Sequence, residues 1–309
     1  MTYAVSDKKS AEDACILCPR KCRAKRAVGE SGVCGQTDRI KAARAALHYW
    51  EEPCISGTSG SGAVFFSGCN LHCVYCQNKS ISMGNAGKQI TAERLSDIFF
   101  ELQEKGAHNI NLVTPGHFVP QIAEALSKAK VQGMSLPVVY NTGSYEYADT
   151  LKRMEGLVDI YLPDFKYMDS GLSLRYSCAA NYSEVAKAAV AEMVRQTGEA
   201  VFEDGAEDGL MKRGTIVRHL VLPGCTQDSK DVIGYLHKTY GNRIYISIMN
   251  QFTPMPELAD YPELNRPVTE AEYGEVVDYA LSLGVECGFI QEGETAMESF
   301  IPAFDGEGI

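Results

Sequence analysis

Apolar residues recur along this chain in two alternating rhythms. Short runs rich in β-branched and aromatic side chains fall at 63–67, 109–114, 137–141, 158–163, 215–222 and 243–249, and each predicts a strand. Between them the period lengthens to that of a helix. Leu95, Ile98, Phe99 and Leu102 stand at i, i+3, i+4 and i+7 before Gly106; 121–132, 145–154 and 184–196 likewise run into Gly133, Gly156 and Gly198. Helical stretches at 231–240 and 270–283 follow the last two strands. Alternating strands and helices predict an α/β fold built on a parallel sheet. Such sheets hold their ligands at the strand C-terminal ends. Thr114, Asn141, Thr142, Asp164, Lys166 and Asn250 occupy those ends, as does the 219–223 turn. Segment 199–212, with two Asp-Gly pairs, predicts a hairpin or insertion before the fifth strand. The glycines of 57–62 precede a strand and join no strand to a helix, so they read as a hinge and not as a phosphate loop.

Length and charge narrow the picture. The chain has 309 residues, enough for one large barrel with an appendage, and 45% of them are apolar. Its longest uncharged run, 53–78, holds four Ser, four Gly and four Cys, too polar a mixture for a membrane span. The first thirty residues are basic and carry no apolar core of a signal peptide, so the expected location is cytoplasmic. Residues 1–44 carry ten Lys/Arg against five Asp/Glu within a chain of net charge −11. A basic head therefore adjoins an acidic body, and the acidic body argues against a nucleic-acid partner.

Eleven cysteines, an odd number in a reducing compartment, point to metal or catalysis more than to disulfides. Seven form two groups: Cys15, Cys18, Cys22 and Cys34, and then Cys69, Cys73 and Cys76. The second group follows the first predicted strand, so one short loop offers three thiols within eight residues. Three thiolates suit three irons of a [4Fe–4S] cube whose fourth iron stays open for chemistry, whereas a closed zinc site wants four ligands. Cys54, Cys178, Cys225 and Cys287 stand singly and read as small buried apolar residues; Cys54 draws interest because it lies between the groups.

Cys69-x3-Cys73-x-Tyr75-Cys76 after a first strand resembles the signature of the radical S-adenosylmethionine (SAM) superfamily. Phe65-Phe66-Ser67-Gly68-Cys69, Tyr75-Cys76-Gln77-Asn78, 15–22, 29–35, 163–167 and 219–224 are similar to its pyruvate formate-lyase activating enzyme-like branch. The resemblance implies a partial (β/α)6 barrel and a cluster whose open iron chelates the amino and carboxylate groups of SAM. One electron then cleaves SAM to methionine and a 5′-deoxyadenosyl radical that abstracts hydrogen, here from a protein or peptide such as a glycyl-radical enzyme. It also places Tyr75 against the adenine, implies SAM contacts from Asp164 and Lys166, and makes Asn78, Thr114, Asn141, Thr142 and Asn250 candidates for the rest of the pocket. Two departures stand out. The Gly-Gly-Glu segment of many activating enzymes is replaced by 111–117, which has no carboxylate, so that role passes to Thr114 and backbone carbonyls. Their histidine after the last strand is replaced by Asn250-Gln251, leaving His117 and His219 as candidates.

The first cysteine group resembles zinc knuckles and rubredoxin-like turns, and four thiolates suit zinc or a second [4Fe–4S] cluster. Its position ahead of the SAM loop favours zinc, since activating enzymes insert extra clusters behind it. The expected organisation is a Cys-rich metal-binding head at 1–55, a radical SAM barrel at 56–290, and a tail at 291–309 that folds back as a lid or a structural clasp. The basic head is expected to dock an acidic flavodoxin or ferredoxin. A small-molecule substrate, or a metal-binding interaction module without turnover, are the alternative readings.

Overall fold

A computed structural model describes residues 14–203, 209–255, 258–291 and 302–309. In chain order the elements are β1 (Lys41–His48), α1 (Pro53–Ser56), β2 (Ser61–Phe66), α2 (Lys79–Ser82), β3 (Lys88–Gln89), α3 (Ala92–Glu104) and β4 (Ile110–Val113). There follow α4 (Val119–Val131), β5 (Val138–Thr142), α5 (Ala148–Leu151), β6 (Ile160–Pro163), α6 (Ser170–Ser177), α7 (Tyr182–Thr197) and β7 (Val201–Phe202). The last are β8 (Met211–Leu220), α8 (Thr226–Tyr240), β9 (Tyr245–Met249), α9 (Glu270–Ser282) and β10 (Gly288–Ile290). One open sheet runs β10-β9-β8-β6-β5-β4-β2-β1-β3. From β2 to β10 its strands pair in parallel, and β1 and β3 are antiparallel additions at one end.

All six predicted strands are present, each with the helix expected after it. The sheet also takes in β1 from the segment read as the head, and β10 after the last helix. Both were hard to see. β1 is alanine-rich, with no branched residue before Leu47, and β10 has three residues, so neither shows a strand's usual composition. β7 pairs antiparallel with the start of β8, so 199–212 begins and ends as the expected hairpin, with 204–208 outside the described residues.

Alternation along each strand divides the interior. Ile110, Leu112, Val138 and Tyr140 face outward into a core with Leu95, Ile98 and Phe99 of α3 and Ile122 and Leu126 of α4. A second core joins Val217 and Ile246 to α7, α8 and α9. Inside the barrel, Cys54 and Ile55 of α1 plug the base against Val139, Ile160, Leu162 and Ile216. Cys54 is thus a packing residue. Burial first, then neighbouring Glu52, pushes its thiol up to about 12. The 57–62 segment is a tight turn instead of a hinge: a Cβ on Gly57 (φ 48°) would stand 2.7 Å from Leu210 and 2.8 Å from His108.

Residues 302–309 clasp the β1 end of the sheet. Phe304 packs edge-on to Phe65 with centroids 5.5 Å apart, the Ala45 N–H donates to the Glu307 carbonyl at 2.8 Å, and Arg44 pairs with Asp305 and Glu307. This half of the tail is the clasp of the two expected forms, and it covers backbone that would otherwise be an open edge. No helix among the described residues is long and apolar enough to cross a membrane.

Candidate functional site

The loop after β2 is held by its glycine. Gly68 adopts φ 91°, and a Cβ there would meet the Cys34 carbonyl oxygen at 2.4 Å, so only glycine lets the loop lie against the head. Beyond it, Cys69, Cys73 and Cys76 line one cavity of about 200 Å³ at the C-terminal ends of the parallel strands. Tyr75, Thr114, Thr142, Asp164 and Lys166 line the same cavity. Burial, and then the charge of Cys73, pushes Cys69 up and Cys76 up to about 12. Donors to sulfur are already in place: the Leu71 N–H on Cys69 at 3.4 Å and the Ser177 hydroxyl on Cys73 at 3.0 Å. Among the described residues no three Cys, His, Asp or Glu side chains converge on a single metal ion. A [4Fe–4S] cube does not need that, because each thiolate takes a different iron. Three partly buried thiols that repel one another as anions, with donors turned to sulfur, form a donor set that such a cube neutralises.

Backbone strain gathers around this cavity. His72, Thr114 and Ser144 hold φ of 54°, 59° and 62°, and Thr114 is β-branched, for which the left-handed region is costly. The Thr114 N–H donates to the Asn141 carbonyl at 2.8 Å, which holds the turn after β4 against β5. Strain of this kind clusters at binding sites.

Beneath the cavity lies a charged layer. Arg218 of β8 donates to Asp164 at 2.8 Å, to Glu51 at 2.8 Å and to Asn141 at 2.7 Å. Lys166 donates to the other Asp164 oxygen at 2.8 Å, and Asn111 and Asn141 both donate to Glu51. Burial works against each charge, but Arg218 and Lys166 outweigh it and hold Asp164 below its usual range. Lys166 and Arg218 are held up in turn, chiefly by Asp164, despite burial. In this arrangement Asp164 and Lys166 are a salt bridge to each other and also face the cavity.

The other expected residues divide. Tyr75 is buried, its hydroxyl 2.6 Å from that of Tyr167 and its ring edge-on to Tyr167, Tyr176 and Phe252. Thr142 bonds Glu146. Asn141 serves the charged layer, Asn78 stands at the start of α2, and the Asn250 N–H donates to Gln291 at 2.7 Å; these three do not line the cysteine cavity, whereas Gln77 and Gln251 do. His117 lines it too, bonded to the Ser67 carbonyl at 2.7 Å and lowered by burial to about 3. His219 is tied to the Phe165 carbonyl and the Ser229 hydroxyl, and burial lowers it to about 4. Both are neutral at ordinary pH.

Three residues escape the sequence reading. Arg218 carried a signal, a lone cation inside the apolar run of β8. Glu51 gave none, lying in a linker. Nor did Glu146, which reaches the cavity from the turn after β5 with the Tyr140 hydroxyl donating to it at 2.6 Å. A carboxylate missing from the segment after β4 is therefore present from its neighbour.

The head abuts this site. Arg20 donates to the carbonyl oxygens of Asn70 at 2.6 Å, Ser177 at 2.8 Å and Cys178, and its guanidinium lies 5.1 Å from the Tyr145 ring centroid. His72 bonds the Val33 carbonyl at 2.8 Å. Backbone N–H groups turn to the head thiols, that of Arg20 to Cys18, those of Ala24 and Val33 to Cys22, and that of Gln36 to Cys34. Burial opposes it, yet those two donors with Cys15 and Arg26 hold Cys22 below the usual thiol range. Burial pushes Cys34 up to about 11. Among the described residues no three of the head thiols converge on a single metal ion, so the expected zinc site rests on the cysteine spacing and these turns alone.

Comparison with known proteins gives the chain its place. An uncharacterized protein of Methanocaldococcus jannaschii is 27% identical over 279 residues, covering 86% of this chain and 74% of its own. Among solved structures, HydG, a maturase of the [FeFe]-hydrogenase, shares 12% identity with TM-score 0.49, over 78% of this chain and 53% of its own. Streptococcus suis SuiB bound to S-adenosylmethionine shares 9% with TM-score 0.45, over 73% and 48%. A domain of pyruvate-formate lyase-activating enzyme from Bacteroides vulgatus shares 11% with TM-score 0.39, over 56% and 91%. The chain thus spans about half the length of SuiB and HydG. The Radical SAM superfamily model matches residues 63–236, more than half of the chain, from β2 and its three-cysteine loop through the Asp164 and Arg218 strands into α8. This chain belongs to the radical SAM superfamily, a family of enzymes that use a [4Fe–4S] cluster and S-adenosylmethionine.

Proposed function

We propose that Cys69, Cys73 and Cys76 hold the cluster, that SAM lies in the cavity they line, and that the resulting radical abstracts hydrogen from a protein or peptide. The observation that carries this is the meeting, in one cavity at the strand C-terminal ends, of three thiols from one loop with Asp164 and Lys166 from another. When bound, the cluster supplies the electron that cleaves SAM. The chain supplies the rest. Lys166, half-buried and cationic, answers the SAM carboxylate; Asp164, fixed by Arg218, accepts from a ribose hydroxyl or the ammonium. Glu146 is the acceptor for the ammonium that the segment after β4 lacks. Tyr75 supplies an aromatic wall. The choice of a protein or peptide substrate rests on the likeness of 65–69, 75–78 and 163–167 to the activating-enzyme branch.

We further assign a zinc ion or a second [4Fe–4S] cluster to Cys15, Cys18, Cys22 and Cys34, and an acidic one-electron protein as the donor. Anaerobic reconstitution tests the central reading. Wild type is expected to bind about four irons at the loop and to release 5′-deoxyadenosine from SAM under reduction, and Cys73→Ala to lose both. Equal deoxyadenosine from the two proteins overturns it.

A further inference from the structure

Between the two ends of the open sheet lies a second cavity, of about 460 Å³. One wall is Phe289 and Ile290 of β10; the other is His48 and Trp50 at the end of β1. Its floor is Glu51, Glu52 and Ser247. It shares Gln77, Arg218, Met249 and Gln251 with the cysteine cavity, and Gln77 Nε2 donates to the Gln251 carbonyl at 2.8 Å to form the partition. Gln77 directly follows Cys76, so anything held here lies one side chain away from the cluster loop.

Charge in this cavity is unbalanced. Arg218 gives one N–H each to Asp164, Glu51 and Asn141, and Lys166 bonds Asp164. Of the described carboxylates and strong cations that line it, Glu51 and Glu52 stand against Arg218 alone. The surplus falls on Glu52. Its side chain is 8% exposed and bonds Ser247, while its Oε2 has no hydrogen-bond partner among the described residues. A buried carboxylate oxygen left unpaired is costly, and a site is formed where a ligand can supply the missing donor. Two aromatic rings, Trp50 and Phe289, stand in the walls of the same cavity, which suits a cation on a short apolar arm.

We infer that this side cavity is the substrate pocket, and that Glu52 receives an ammonium or guanidinium group of the substrate. The inference rests on the radical SAM reading above only for the word substrate; the cation site stands on its own geometry. A free amine and a lysine or arginine side chain of a peptide offer the same group, and the cavity takes either.

The chain's single tryptophan is Trp50, so its emission reports occupancy directly. Anaerobically reconstituted protein is titrated with butylammonium, butylguanidinium, neutral valeramide and anionic valerate, followed by Trp50 emission and by calorimetry. The cations are expected to saturate, with valeramide and valerate at least about tenfold weaker, the margin of a hydrogen bond to a charged group. Glu52→Gln, which keeps shape and removes the charge, is expected to lose at least about tenfold for the cations alone. Acetyl-capped tripeptides centred on lysine or arginine form a second arm: tighter binding than the butyl probes assigns the site to a peptide, weaker binding to a small amine. Equal affinity for cation and amide, preference for the anion, an unchanged Glu52→Gln, or silence in both measurements overturns the inference. If Glu52→Gln does not fold, the ranking of probes on wild type decides. Deoxyadenosine formation is measured on the same wild-type preparation; its absence beside a clear cation preference sinks the radical reading and leaves the cation site standing.

Discussion

Arg218 is the residue on which the floor of the site turns, because three of its five N–H donors go to two carboxylates and an amide at 2.7–2.8 Å. Removing one partner from a buried charged set leaves the others uncompensated, a loss of about 3–5 kcal/mol. Arg218→Met is therefore expected to unfold that much more easily in denaturant, and a loss within about 0.5 kcal/mol would contradict the buried network. Asp164→Asn and Lys166→Met separate two roles for one pair. As a strand-end salt bridge alone, either loss lowers stability and leaves SAM affinity of the folded protein intact. As SAM ligands, either loss weakens SAM binding by about 1.5–3 kcal/mol, roughly 10- to 150-fold, with cluster iron unchanged. Equilibrium binding of SAM beside an iron assay tells these apart. Glu146→Gln makes the same test for the ammonium acceptor. Its carboxyl is raised by burial even though Thr142 and Tyr140 donate to it, so a bound ammonium has an unpaired charge to gain, and the amide is expected to cost at least about tenfold in SAM affinity.

At the scale of elements, the head and the cysteine loop form one unit. Arg20 crosses from the first cysteine group onto the carbonyls that follow Cys69, and Gly68 has no Cβ where Cys34 presses on it. Few large apolar side chains are available to the head, so the proposed metal would give it a centre to fold about. Cys15→Ala/Cys18→Ala is expected to lose zinc or about four irons and to loosen the loop through Arg20. Loss of neither metal rejects the site, and the metal that disappears says which it was. Six of the seven parallel strands and their helices were legible because burial on both faces writes long apolar runs into them. Legible too was the three-cysteine loop, since its ligands are local. What stayed hidden was assembled at a distance: Glu51 comes from the β1–α1 linker, Glu146 from the turn after β5, and Asn141 turns from the strand end toward Arg218. β1 shows only as alanines, because the clasp 302–309 and β2 press on it from both sides.

Over the whole molecule, the separation of charge is the ground for the proposed docking of an acidic electron donor. Arg20 and Arg26 are spent internally, Arg20 on the cysteine loop and Arg26 on the Thr37 carbonyl, but Lys21, Arg23, Lys25 and Arg39 face outward on the head. These outward cations sit on the same forty residues whose other face touches the loop of Cys69, Cys73 and Cys76, so a protein docked there stands close to the iron. The body carries the balance of the −11, so an acidic donor would be favoured at the head over the body. Association steered in this way fades with salt, since the screening length is about 8 Å at physiological ionic strength. Deoxyadenosine formation driven by reduced flavodoxin is accordingly expected to fall steeply between low and physiological salt, while the same reaction driven by dithionite changes little. Reversing the patch with Lys21→Glu/Arg23→Glu/Lys25→Glu is expected to slow the flavodoxin-driven rate at low salt and to spare the dithionite-driven one. A patch that merely offsets the negative charge of a metal–thiolate centre predicts otherwise: both reductants respond alike to salt, and the triple variant loses head metal before it loses electron transfer.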